Sequence, residues 1–256
     1  MKTLIFLVLI SLLPVSNSLA KNRLPRKPTA HTVLDELIKR YDPHNRWQQA
    51  QMSYTVNIID QNGQFCTAEI ETWGPDEFFQ ISIKSKGQKI VKRYEYGEYF
   101  TSIDHNTEFS ISSKNEFGLS EEKIDQCMDL FQLINGSIME MDRSGMKIKS
   151  GLKVTDFEDR NCYALTFTNS SKTTDNSFCS GKIKLYVDRI TYDIVGLELK
   201  GSPDADYSKL VFDCFHRNSG IIVPQFIKAY NKQGTLIYTK IIRIPTSEYE
   251  GIAYHK

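Results

Sequence analysis

The chain has 256 residues, 40% apolar and 25% charged, with 32 basic and 31 acidic side chains. This near-neutral balance excludes a global field that would gather nucleic acid or an anionic membrane surface, and the ordinary apolar fraction excludes a disordered protein. The length allows one large all-β domain or two small ones, and 14 Phe with 13 Tyr suit sheets.

Residues 1–20 read as an export signal. Lys2 supplies the positive start, Leu4 to Leu13 the apolar run, and Ser18 and Ala20 the small residues before a cleavage site. An apolar run of about ten residues is too short for a hydrocarbon core that needs ~20, so no membrane span is expected once the signal is removed. No cysteine closely follows the run, so the expected product is soluble, not lipid-anchored, and periplasmic or secreted. It begins near Lys21 and carries 31 charges of each sign.

Lys21 to Pro28 is basic, holds two prolines and reads as a tether; residues 29–256 read as a single domain. Thr29 or Thr32 can cap a helix reaching Tyr41, with Leu34, Leu37, Ile38 and Tyr41 at helical spacing, Asp35 and Glu36 in its first turn, and Asp42-Pro43 as its stop. The period then becomes two. Tyr54, Val56 and Ile58 alternate with polar neighbours, Gln61 to Gln64 carries turn chemistry, and Cys66, Ala68 and Ile70 alternate again, which predicts a hairpin with one buried face. Strands follow over Phe78 to Lys84, Ile90 to Tyr96 and Glu98 to Ile103. A helix opens at Ser120 to Glu122 and runs to about Leu133, placing Ile124, Met128 and Phe131 on one side, and Asn135-Gly136 should end it. Strands resume over Ile148 to Val154, Cys162 to Phe167, Ile183 to Val187, Ile194 to Leu199, Leu210 to Phe215, Ile221 to Tyr230 and Leu236 to Ile244. The expected class is mainly β with two or more helices. Ten or eleven strands form one large antiparallel sheet whose concave side the helices cover.

The chain has five cysteines, Cys66, Cys127, Cys162, Cys179 and Cys214, with no CxxC unit, which disfavours zinc and thioredoxin-like chemistry. Cys66 and Cys214 sit at inward strand phases, where a thiol acts as a small hydrophobe. Cys162 and Cys179 flank the loop Asn169 to Ser177 and are a candidate bridge. Hydrolase, zincin, P-loop and dinucleotide motifs are absent from the sequence, and no two of His31, His44, His105, His216 and His255 have i, i+4 spacing. Asp42 with His44 fits a capped turn better than a metal pair. The carboxylate pairs Glu69 with Glu71 and Asp204 with Asp206 fit a solvent face and a turn. No cofactor, metal or catalytic residue is expected.

Aromatic crowding is the more specific signal. Trp73, Phe78, Phe79, Tyr94, Tyr96, Tyr99 and Phe100 fall on adjacent strands, and a half-open sheet lined by such rings forms an apolar groove; the same rings could equally be filled core. Phe78, Phe79, Ile81, Tyr94, Tyr96, Met128 and Phe131 are the candidate ligand-binding residues. Strand alternation sends Phe78 and Phe79 to opposite faces, and either could be the inward one.

Two segments resemble the LolA-type carrier of outer-membrane lipoproteins. Trp73-Gly74-Pro75-Asp76-Glu77-Phe78-Phe79-Gln80-Ile81 is similar to its proline-containing turn before an aromatic strand. Ile183 to Glu198, with Asp188-Arg189-Ile190-Thr191 at the turn, is similar to its hairpin of a strand ending in Asp. The opening helix with Tyr41-Asp42-Pro43-His44-Asn45-Arg46-Trp47 resembles an uncharacterised family of exported Bacteroidota proteins of the same fold. The resemblance implies an unclosed half barrel with a helical lid over an acyl-chain cavity. The carrier's signature arginine has no counterpart here: Phe79 and Gln80 stand in its place, and the next arginine is Arg93. The expected function is a non-enzymatic envelope protein binding a lipid or other apolar ligand, with a lipoprotein-sorting role or an envelope protein partner as refinements. The alternatives are a ligand-free structural or interaction module, and a hydrolase of unfamiliar type.

Overall fold

The computed structural model describes residues 27–85, 87–143, 146–168, 182–200, 208–218 and 220–244. The export signal, most of the tether, Cys179 with its loop, and Asp204 with Asp206 lie outside them.

Helix α1 (Ala30–Tyr41) starts at a reciprocal capping box: Thr29 accepts the Thr32 N–H, and Thr32 Oγ1 accepts the Thr29 N–H at 2.7 Å. With Thr29 as the cap, Asp35 and Glu36 fall in the second turn, not the first. The buried side chains Val33, Leu34, Leu37 and Tyr41 join the main core. Asp42 then turns the chain, its carboxylate accepting the N–H groups of Arg46 at 2.7 Å and Trp47 at 2.8 Å.

β1 (Gln51–Asp60), β2 (Phe65–Trp73), β3 (Phe78–Ser85), β4 (Gln88–Glu95) and β5 (Glu98–Ile103) form an antiparallel meander, with one helical turn, α2 (Gly74–Glu77), between β2 and β3. α3 (Ile111–Phe117) and α4 (Glu121–Arg143) follow. The chain continues through β6 (Lys147–Ile148), β7 (Lys153–Phe157), β8 (Arg160–Thr168), β9 (Lys182–Asp188), β10 (Ile194–Lys200), β11 (Lys209–Asn218), β12 (Ile221–Tyr230) and β13 (Leu236–Arg243). Among the described residues these 13 strands make one sheet of order β5-β4-β3-β2-β1-β13-β12-β11-β10-β9-β8-β6, with β7 also pairing β8. The sheet is unclosed, and the long helix α4 covers it as a lid.

Three details differ from the sequence expectation. The strand expected over Ile148 to Val154 is split, because β6 and β7 pair separately with Thr168 to Phe167 and with Ala164 to Arg160 of β8. Asn135-Gly136 does not stop the lid: α4 continues to Arg143, and glycine is required mid-helix because a Cβ there would collide with the Trp47 indole. Cys214 is exposed, not inward; its backbone φ of 48° breaks the alternation of β11.

Cross-strand register fixes the concave face. Phe79, Ile81 and Ile83 oppose Thr72, Ile70 and Ala68, which oppose Met52, Tyr54 and Val56. The row continues through Ile242 and Lys240 of β13 to Ile227 of β12. One large apolar cluster joins this face to α1 and α4. A smaller cluster of Phe157, Cys162, Ala164, Tyr186 and Val195 lies on the opposite face of the second half, where Phe157 and Tyr186 stack 4.0 Å apart. Tyr41 clamps α1 onto the sheet by accepting the Ile194 N–H at 2.8 Å, and Arg40 pairs with Asp193 at 2.6 Å.

Candidate functional site

Between α4 and the concave face lies a cavity of about 80 Å³. Its sheet wall is Val56, Ile70, Phe79 and Ile81, continued by Ile227 and Ile242; its roof is Leu130, Phe131 and Ile134 of α4. Phe131 is the keystone of the roof, meeting Tyr54 at 5.3 Å and Phe79 at 5.7 Å between ring centroids. Both contacts fall within the range of favourable aromatic pairs. Alternation and register build the wall from residues far apart in sequence, and helical spacing brings Leu130, Phe131 and Ile134 to one side.

Three polar side chains interrupt this apolar lining: Cys127 and Asn135 of α4, and Lys240 of β13. Lys240 occupies an inward position of its strand, with Ile58 and Ile227 as cross-strand neighbours. Among the described residues its ammonium has no hydrogen-bond or ion-pair partner, only the ring of Tyr238, 5.0 Å from Nζ to centroid. The residue is half-buried and contributes to the cavity lining. Desolvation pushes its pKa down from 10.5 to about 8, with Cys127 acting in the opposite direction. Asn135 is 4% exposed; its Nδ2 donates to the Phe131 carbonyl at 2.9 Å, which leaves Oδ1 as a buried acceptor with no partner.

The aromatic candidates divide sharply. Phe79, Ile81 and Phe131 line the cavity. Tyr94 shares the concave row opposite Phe79 but packs edge-on against Tyr99 at 5.3 Å, and Met128 packs against the core beside the lining. Phe78 lies on the opposite face, stacked on Trp73 at 4.7 Å, because its register partner is Trp73. Tyr96 is 67% exposed in the β4–β5 turn, where a φ of 46° takes it off the strand. Arg93 also faces away from the cavity, paired with Gln80 and lying 4.5 Å over the Phe100 ring. The cavity's cation therefore comes from β13 and not from the strands where the carrier's arginine would stand.

The chain is similar to LolA-superfamily structures. A LolA superfamily protein from Nitrosomonas europaea matches over 88% of this chain and 99% of its own, at 14% identity and a TM-score of 0.49. A domain assigned to outer-membrane lipoprotein sorting, from Vibrio parahaemolyticus, matches over 87% and 94%, at 11% identity and a TM-score of 0.46. A DUF1329 family protein from Desulfovibrio piger matches over 86% and 95%, at 12% identity and a TM-score of 0.41. No family model and no curated protein matches the chain. At this level of similarity no residue role passes from those proteins to this one.

Sequence reasoning missed Lys240 and Asn135. The signal for Lys240 was available: in Tyr238-Thr239-Lys240-Ile241-Ile242 the lysine holds the same phase as Tyr238 and Ile242. Asn135 was masked by the glycine after it, which reads as a helix end until Trp47 is seen against it.

Proposed function

We propose that this is an exported, non-enzymatic envelope protein that holds one acyl or similar apolar chain between its lid and its concave sheet. The observation that carries this reading is the cavity itself. An apolar space walled by Phe79 and Ile81 and roofed by Phe131 lies between the concave sheet and α4. The export signal read from residues 1–20 supplies the compartment.

At about 80 Å³ the space is well below the ~300–1,000 Å³ of formed small-molecule sites. The structure is thus a closed state, and α4 moves outward when a chain enters. Met128, Met139 and Met141 on α4 suit that movement, because unbranched thioethers repack readily around a changed surface. Burying six methylenes contributes ~5 kcal/mol, enough to draw out an open state lying a few kcal/mol above the closed one.

The test is titration with the neutral fluorophore N-phenyl-1-naphthylamine. The wild-type protein should show saturable one-to-one uptake that lauric acid displaces. Phe79→Asp should abolish uptake while retaining the sheet signal in far-UV circular dichroism, since it puts a charge into the apolar wall. Absence of saturable uptake by the wild type would refute the reading.

A further inference from the structure

One buried acceptor in the cavity roof has no donor. Cys127, Leu130, Phe131, Ile134 and Asn135 fall on successive turns of one side of α4 and line the cavity, so Asn135 stands where the helical repeat calls for an apolar side chain. It is 4% exposed. Asparagine is a weak helix former, and burying its carboxamide is unfavourable unless both ends are bonded. Only the nitrogen end is bonded. Nδ2 donates to the Phe131 carbonyl at 2.9 Å, whereas Oδ1 is buried with no hydrogen-bond partner among the described residues. Reversing the carboxamide would set Oδ1 against that carbonyl, acceptor facing acceptor, so the helix itself fixes the orientation. Its position is fixed as well, because the adjacent Gly136 lies against the Trp47 indole. Buried polar atoms in native proteins are almost always satisfied, so this orphan marks a missing donor.

Resting on the apolar-chain reading above, we propose that the ligand carries a hydroxyl group at the end that lies beneath α4. This hydroxyl donates to Asn135 Oδ1, and the tail runs along the wall of Phe79 and Ile81. What Oδ1 requires is a hydrogen. An ionised carboxylate, an ester and an ether have none to give, so each would leave the acceptor buried and unpaired. A hydroxyl is the smallest neutral donor and adds a single heavy atom to a space of about 80 Å³. An alkylammonium also donates, but it would bring a second cation into a lining that already includes Lys240, which is largely protonated at pH 7. A neutral alcohol meets the requirement of the acceptor without adding charge to an apolar space.

Displacement of bound N-phenyl-1-naphthylamine at pH 7 by four compounds of equal carbon count tests this: 1-decanol, 1-methoxynonane, decanoate and decylamine. The ether keeps the oxygen and the carbons of the alcohol and loses only the donor. The wild type should bind 1-decanol about five- to tenfold more tightly than 1-methoxynonane, the span of one hydrogen bond, and more tightly than either charged compound. Asn135→Leu keeps the shape and removes the acceptor, so it should erase the preference for the alcohol; Asn135→Ala serves if the leucine variant does not fold. Equal wild-type affinity for 1-decanol and 1-methoxynonane would overturn the proposal in favour of a resident water as the donor, and would leave the apolar-chain reading intact. Tighter binding of decanoate or decylamine than of 1-decanol would overturn the neutral hydroxyl. A preference for 1-decanol that survives in a folded Asn135→Leu variant would remove Asn135 from the contact, and parallel loss of both neutral compounds in that variant would make Asn135 structural. If the wild type takes up neither the fluorophore nor any of the four, both readings fall.

Discussion

Replacing Lys240 by methionine should make the protein more stable, and the gain should shrink as pH rises. In the folded protein desolvation depresses the lysine from 10.5 to about 8, while in the unfolded chain it returns to the ordinary lysine range. Below pH 8 both states carry the proton, so the fold holds a buried charge at a cost of about 3 kcal/mol. Between about pH 8 and 10.5 the unfolded state binds more protons than the folded one, so this group's contribution makes stability rise with pH through that window. Methionine has a similar length and no charge, so the variant's advantage should be about 3 kcal/mol at pH 7 and fall to about 1 kcal/mol at pH 9.5. Cys66, Cys162 and Cys214, whose thiols burial pushes up, contribute to the pH dependence with the opposite sign. The informative quantity is therefore the difference between wild type and variant, in which those terms cancel. Urea denaturation of both proteins at pH 7 and 9.5 measures it. A variant less stable than wild type at pH 7, or an advantage that does not change with pH, would refute the assignment of a desolvated ammonium.

Two further outcomes test how lid and sheet are held. Gly136→Ala adds about 1 kcal/mol of helix propensity but drives a methyl into the Trp47 indole, an overpacking that costs about 1–3 kcal/mol, so the urea midpoint should fall; a rise would show that Trp47 is not against the helix. Tyr41→Phe should cost about 1–3 kcal/mol in the same assay by leaving the buried Ile194 N–H without its acceptor, and an unchanged midpoint would remove that clamp.

Which parts of this architecture were legible follows from the range of the forces that set them. The period-two segments Tyr54 to Ile58 and Cys66 to Ile70 declare a face by themselves, and the structure pairs them as antiparallel strands. Thr29 and Asp42-Pro43 bound α1 through bonds within a few residues. What could not be read depended on contacts distant in sequence. Trp47 decides that Gly136 stays helical, and Phe78 turns outward because Trp73 is its register partner. The site illustrates both cases. Phe79, Ile81 and Phe131 belong to segments whose pattern already announced burial, whereas Lys240 becomes interesting only once β13 is seen between β1 and β12, with an apolar roof above it.

The pairing of β1 with β13 also orders events in time. Thr55 meets Arg243 and Ile58 meets Lys240, so the last of the described strands occupies the middle of the sheet and joins two half-sheets that otherwise end in open edges. Closing so long a stretch of chain is slow compared with forming the local hairpins on either side. A nascent chain emerging from its N-terminus holds two incomplete halves until residues 236–243 arrive. Lys240 travels on that strand, so the cavity it lines is complete only once β13 is seated between β1 and β12.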